Sequence, residues 1–317
     1  MTLYSEESKA LGIAKESVRG TAEDAPSRFL AIAKGDPFDY VPELIEDEQL
    51  RGAKIRIKPQ QGRKNGTGRI SLDAEPHSIG EILLGILGSV SSAQQGGTTA
   101  YKHTFTKLAT LQHPSFTTFI DWGIGVKEYN MTTFKSLTLT QADGGILKAA
   151  VDLMFKAEAA ASAITPTWIS PVPFTFNMLD VKIATVSDVN VRDFSLVIDN
   201  GAYAQKNFNQ SQDIADFLVK DKPKITGSFT VWFASEAERV KFLANTATTL
   251  ELVWTGSQIS GAYYNALDIN LYQVHYKAFP LGYVDGILAA TVNFEAYYSI
   301  DNSKEIQIDL TNEITSY

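Results

Sequence analysis

The chain has 317 residues, a net charge of -8, 44% hydrophobic and 20% charged residues, and no cysteine. Its length suits two units of about 150 residues, each able to bury about two thirds of its unfolded surface. The missing cysteines exclude a disulfide scaffold, and the acidic balance argues against a binder that works by neutralising phosphates. Met1 to Ser8 has neither a basic start nor an apolar core, and no apolar run approaches the roughly 18 residues of a spanning helix. A soluble protein made in the cytosol is therefore expected.

The first 50 residues show little periodicity before Ser27 to Ala33 and carry turn signals at Gly20-Thr21 and Gly35-Asp36-Pro37, which suggests an extended arm or irregular strand pair. Glu43, Glu46, Asp47 and Glu48 form an acidic cluster. From Arg51 to Leu72 the sign reverses, with Arg51, Lys54, Arg56, Lys58, Arg63, Lys64 and Arg69 and no acid among them. Gln60 to Gly68 reads as the flexible tip of a long hairpin that Ala53 to Lys58 opens. A phosphate loop is not expected there, because a Walker-type motif leads into a helix and here a strand follows.

That strand, Gly68 to Glu75, alternates Ile70, Leu72 and Ala74 with polar residues and turns into a helix whose Ile79, Ile82, Leu83, Ile86 and Leu87 form one apolar stripe. Ser89 to Ala100 reads as a polar loop. Strands are predicted at Tyr101 to Lys107, Phe116 to Trp122, Thr132 to Gln141 and Ile146 to Lys156, the last after the turn Ala142 to Gly145. Ala157 to Pro173 is rich in small residues and proline and marks a junction between units 1–165 and 166–317.

In the second half, strands are expected within Phe174 to Val186, Val189 to Asp199, Thr249 to Trp254, Asn265 to Tyr276 and Gly286 to Ser299. Asn200-Gly201 and the loop Ala202 to Asp213 separate two of them. Gly227 to Ala244 repeats the strand-then-helix pattern: Phe229, Val231 and Phe233 alternate, then Ala237, Val240, Leu243 and Ala244 follow, with Ser235 and Glu238 as a capping box. Gly145 to Phe155 also lies over Gly286 to Ala296 without a gap, and both begin Gly-Ile-Leu. Two pairs in the same order point to an internal duplication. The tail Glu305 to Ile314 alternates like a last strand, available for addition to a neighbour.

Catalytic and metal chemistry has little support. His77, His103, His113 and His275 are scattered, and Gly256 to Gly261 lacks the nucleophile-elbow spacing. Asp73, Glu75, Asp152 and Glu295 could serve a glycosidase only if the fold paired them at a catalytic separation; solvated strand faces are the plainer reading. The sequons at Asn65, Asn130 and Asn209 carry no meaning without secretion.

Several segments resemble the tail tube proteins of long-tailed bacteriophages: Glu16-Ser17-Val18-Arg19-Gly20-Thr21, the acidic segment leading to Leu50-Arg51-Gly52, the Gly68 to Leu87 strand and helix, Ser136 to Leu139 with Gly144-Gly145-Ile146, Lys224 to Val231, and Val284 to Tyr297. The resemblance implies a mainly β fold: two tandem β-sandwich domains, each with a flanking α-helix, whose strands join those of neighbours into a central β-barrel. It implies no cofactor and no enzymatic role. Six such domains normally make a ring, so a duplicated chain implies a trimer imitating a hexamer, with tape measure and tail terminator proteins as further partners. DNA would pass through without specific binding. On this reading Lys148, Asp152, Thr291, Asn293 and Glu295 are candidates to line the channel. Glu43, Glu46 and Asp47 would face Arg63 and Lys64 across a ring-to-ring contact. The alternative class is a two-domain binding module for carbohydrate or a cell-surface ligand, but Trp122, Trp168, Trp232 and Trp254 are dispersed along the chain.

Exposed ion pairs contribute only about 0 to 1 kcal/mol each, so such a contact would set register more than affinity. Changing both Arg63 and Lys64 to Glu is expected to lower tube formation, measured by electron microscopy, more than trimer formation; unchanged tube length would refute the contact.

Overall fold

A computed structural model describes residues 5–49, 55–169, 172–208 and 210–317. Leu50 to Lys54, with part of the basic stretch and of the first expected hairpin strand, and Asn209 of the third sequon lie outside the described residues. Alternating apolar and β-branched residues make strands almost throughout: among the described residues there are 21, all paired antiparallel, and two short α-helices.

The main sheet runs in the order Phe38–Ile45, Gln60–Asp73, Lys148–Phe155, Val126–Ala142, Val191–Asp199, Lys224–Trp232, Ile287–Ala296 and Leu281–Val284. Two outer layers cover one of its faces. One contains Arg28–Leu30, Ala10–Lys15, Phe116–Asp121 and Ala157–Ala161. The other contains Leu179–Ile183, Thr248–Ser260, Ile306–Asn312, Tyr101–Lys107 and Gly88–Gln94. Val126–Ala142 and Tyr263–Ala278 are long enough to bend from an outer layer into the main sheet. One large core fills the space between, joining Leu11, Ile70 and Phe134 from the first half to Leu196, Trp254 and Phe294 from the second, with two small clusters beside it.

The pairing registers of the two halves coincide. Gly68 faces Leu153 as Gly227 faces Phe294, and Ile70 faces Val151 as Phe229 faces Val292. At both glycines an added Cβ would come within 3 Å of the facing Leu153 or Phe294 side chain, so the missing side chain makes room for the partner. On the next strand, Phe134 pairs with Leu153 and a bulge follows before Ser136 pairs with Asp152; likewise Tyr276 pairs with Phe294 and a bulge follows before Ala278 pairs with Asn293. The extra residue is Lys135 in one case and Lys277 in the other. Phe38, opposite Gly68, matches Leu196, opposite Gly227.

Several expectations are corrected. The hairpin between Phe38–Ile45 and Gln60–Asp73 has its connection at 46–59, so Arg63 and Lys64 lie within a strand and not at a tip. Ser89 to Gln94 belongs to a strand, Gly88–Gln94, whose exposed side chains gave it the look of a loop. The expected loop Ala202 to Asp213 begins with a strand, Ala202–Gln205, which forms a hairpin with Asp216–Val219 beyond it. The tail strand Ile306–Asn312 is added not to a neighbour but between Tyr263–Ala278 and Tyr101–Lys107 of its own chain. Among the described residues the main sheet does not close into a barrel. The helix Gly80–Leu87 is buried on every side, whereas Ala237–Leu243 has no fully buried residue, and Val240 and Leu243 of its expected core stripe are exposed. The Ser235 and Glu238 capping box does not form: Glu236 occupies the N-cap without a side-chain bond, and Glu238 instead accepts from Lys241 and the Tyr276 hydroxyl.

The segment Glu16 to Thr21 ties these layers together. The buried Glu16 carboxylate accepts from Gly20 N (2.6 Å), Met131 N (2.6 Å), Ser115 Oγ (2.5 Å) and Thr117 Oγ1 (3.2 Å). It thereby holds Met131 at φ 50°, inside the long strand Val126–Ala142. Arg19 donates to the His113 and Phe217 carbonyls and to Asp216 Oδ1 at 2.8 Å, reaching from the arm to the second half. Gly20, at φ +79°, leaves room for the Met131 methyl, which a Cβ would meet at 2.5 Å. Glu16→Ala would strand four donors and is expected to cost about 3 kcal/mol or more, read as a lower urea midpoint with an unchanged slope.

Candidate assembly and channel surface

The strands of the main sheet place alternate residues on the core and on an open face. Lys148 and Asp152 from Lys148–Phe155, and Thr291, Asn293 and Glu295 from Ile287–Ala296, all point to that open face, opposite buried Ala149, Val151, Ala290, Val292 and Phe294. The pairings arrange the face in rows across both halves. One row runs Arg69, Asp152, Ser136, Asp199 and Lys224; the next runs Ser71, Ala150, Thr138, Val197, Thr226 and Glu295. A third runs Asp73, Lys148, Thr140, Ser195, Ser228 and Asn293.

Sequence reasoning found the five candidates but missed the Ser and Thr residues between them, although their alternation along Ser136 to Thr140 and Thr226 to Thr230 was visible. Charges on this face neutralise one another. Arg69 lies 3.5 Å from Asp152, Lys277 lies 3.3 Å from Glu295, and Ser136 Oγ donates to Asp152 at 3.0 Å. Its chemistry is hydroxyl-rich and close to neutral.

The five stacking candidates are placed differently. Glu43 accepts from Asn65 Nδ2 at 2.7 Å and lies 3.5 Å from Lys206, which together hold its carboxyl below the usual range. Glu46 pairs with Arg56 at 2.8 Å, and Asp47 accepts from Gln49 N at 2.9 Å. Arg63 donates to the Asn207 carbonyl, and Lys64 stands 5.4 Å from the Tyr40 ring centroid. Acid and base of the cluster thus have partners inside the chain. Besides its charged residues, this hairpin exposes Val41, Leu44, Ile45, Ile55 and Ile57.

The histidines serve packing. His103 is enclosed between Ser92 Oγ (2.7 Å) and Asn312 Oδ1 (3.1 Å), His113 approaches Asn200, and burial pushes both rings below their ordinary pKa. No cluster able to hold a metal ion occurs among the described residues, and no described helix is long and apolar enough to cross a membrane. Trp254 is buried and donates to Gln141, while Trp168 is exposed, so the tryptophans do not gather on one face.

A long open sheet face with two edges unpaired among the described residues is the geometry of a wall segment. Comparison with family models matches residues 7–303 to the phage tail tube protein family. The chain belongs to that family. A search of curated proteins returned no match. This tail tube protein is a structural component of the virion tail, and its assembly with copies of itself follows from the family.

In one outer layer of the tail tube protein, Asp268 pairs in register with Asp309 and lies near Glu251, with Lys102 3.0 Å from Asp309 and Lys182 3.0 Å from Glu251. Burial, then repulsion from Glu251 and Asp309, pushes the Asp268 carboxyl up to about 6. An unfolded aspartate titrates near 3.9. Between these values the folded chain keeps a proton that the unfolded chain has lost, so stability falls as pH rises through about 4 to 6 and levels above. Asp268→Asn is expected to flatten that decline, so the variant gains on the native protein from pH 4 to pH 7 in urea melts.

Proposed function

We propose that this protein is the repeating subunit of the tube through which the phage genome passes into the host cell. Each chain supplies two tail-tube-like units, 1–165 and 166–317, and three chains make a pseudo-hexameric ring. The single observation that carries this reading is the main sheet. It holds the same register twice, presents one largely polar face, and ends, among the described residues, in two free edges.

The open face, with Lys148, Asp152, Thr291, Asn293 and Glu295, lines the channel. Hydroxyl groups keep it wet, and balanced charges neither hold phosphates nor release counterions, so DNA slides without specific binding. The family resemblance supports tape measure and tail terminator proteins as partners at the tube's ends, assembly in the host cytoplasm, and a role without a catalytic step.

Rings stack through the projecting hairpin. The ion pairs first expected there are largely satisfied within the chain, so the exposed Leu44, Ile45, Ile55 and Ile57 supply the driving force, at about 25 cal/mol per Å² of apolar surface buried. Purified protein is expected to show rings with a central hole and a three-chain mass, by electron microscopy and solution mass measurement. Ile55→Glu with Ile57→Glu should keep the rings and abolish the tubes. A monomer at every concentration would overturn the reading.

A further inference from the structure

The two halves of the chain meet along one seam, and that seam contains the design of another. Val126–Ala142, the last main-sheet strand of the first half, pairs with Val191–Asp199, the first of the second half: Ser136 faces Asp199, Leu137 faces Ile198, Leu139 faces Leu196, and Gln141 faces Phe194. Each of these strands has a counterpart in the other half, fixed by the repeated registers. Leu196 opposite Gly227 corresponds to Phe38 opposite Gly68. Leu139 opposite Ala149 corresponds to Leu281 opposite Ala290, because Ala149 and Ala290 match across the repeat.

Both counterparts have an unpaired edge. Among the described residues, Phe38–Ile45 pairs only with Gln60–Asp73, and Leu281–Val284 only with Ile287–Ala296. Burial reports what is missing. Leu139 is 0% exposed and Leu281 is 44% exposed at the matching position.

The flanking helices tell the same story. Gly80–Leu87 is fully buried, and part of its cover comes from the second half: Tyr317 lies against Gly80, where a Cβ would come within 2.1 Å of the ring. The matching helix Ala237–Leu243 exposes Val240 and Leu243, at 56% and 68%.

We infer that the edge Leu281–Val284 of one chain joins the edge Phe38–Ile45 of the next in the register of the internal seam, Tyr40 facing Phe279, Phe38 facing Leu281 and Val41 facing Ala278. The occupant of both edges is a second copy of this chain, and its first half covers Val240 and Leu243. This inference rests on the tube reading and adds to it which edges meet and in what alignment.

Pro280 is compatible with this seam. Its carbonyl accepts from Thr291 N at 3.3 Å, so its own backbone groups face Ile287–Ala296, and the N–H it lacks is not one the neighbour needs. Phe279, Leu281 and Tyr283 direct their backbone groups to the free edge. Ala278 and Val41 then form a non-hydrogen-bonded pair, with Cα atoms about 4.5 Å apart, a spacing that admits a disulfide.

The native chain has no cysteine, which makes the test clean. Val41→Cys with Ala278→Cys, oxidised after assembly, should give a ladder of covalently joined chains on non-reducing gels. Ser136→Cys with Asp199→Cys should give the equivalent bond within one chain and no ladder. Val41→Cys with Gly282→Cys, about 13 Å out of the inferred alignment, should give none. Rings in the microscope without a Val41–Ala278 ladder, while the internal control closes, would overturn this seam and leave the tube reading standing. A Val41–Gly282 ladder would overturn the alignment. Neither rings nor ladder would overturn both.

Discussion

The structure depends on one strand that is hydrogen-bonded on both sides. Val191–Asp199 takes Val126–Ala142 of the first half on one edge and Lys224–Trp232 of the second on the other. Without it the two halves would each end in exposed ladders, and Leu139, Leu196 and Ile198 would lose their shared cover. With it, eight strands form one wall with one large shared core behind. The outer layers add to this bond in the same sense: Ile306–Asn312, from the end of the chain, completes a sheet begun by Tyr101–Lys107, and Arg19 reaches Asp216 and Phe217. The halves are repeats in register but interlocked in packing.

Much of the strand pattern was legible because it is written in period two. Tyr101–Lys107 was read to the residue, and the Gly-Ile-Leu segments marked strands that do occupy matching places. The extent of the repeat was hidden by unequal spacing. Gly68 and Gly227 are 159 positions apart and Leu153 and Phe294 are 141, because the first half carries the additional hairpin Gly88–Gln94 with Tyr101–Lys107 between its helix and its long strand. The bulges at Lys135 and Lys277 did not add to this, since they fall at matching positions and leave the spacing of their strands unchanged. Gly88–Gln94 escaped detection because its outer residues are small and polar, which in sequence looks like a loop.

The candidate site shows a similar division. The channel candidates were chosen from strand alternation, which requires only local rules, and they do share one face. The stacking candidates were chosen from charge, and the partners that decide their role lie far away in sequence: Lys206 for Glu43 and Asn207 for Arg63. The Glu16 to Thr21 motif is the clearest case. Its residues carry the family resemblance, yet Glu16 is bound to residues about a hundred positions distant, and no local pattern reveals that it is a buried fastening and not a surface feature.

The interruption at Phe279-Pro280 gives the two seams different characters. Inside the chain, the pairing strand runs unbroken to Ala142; at the free edge the corresponding stretch is divided, leaving the four residues Leu281–Val284. Short strands and prolines are how sheet edges resist pairing with the wrong partner. On the inferred seam, a free subunit would therefore offer a brief and particular template instead of a long sticky one.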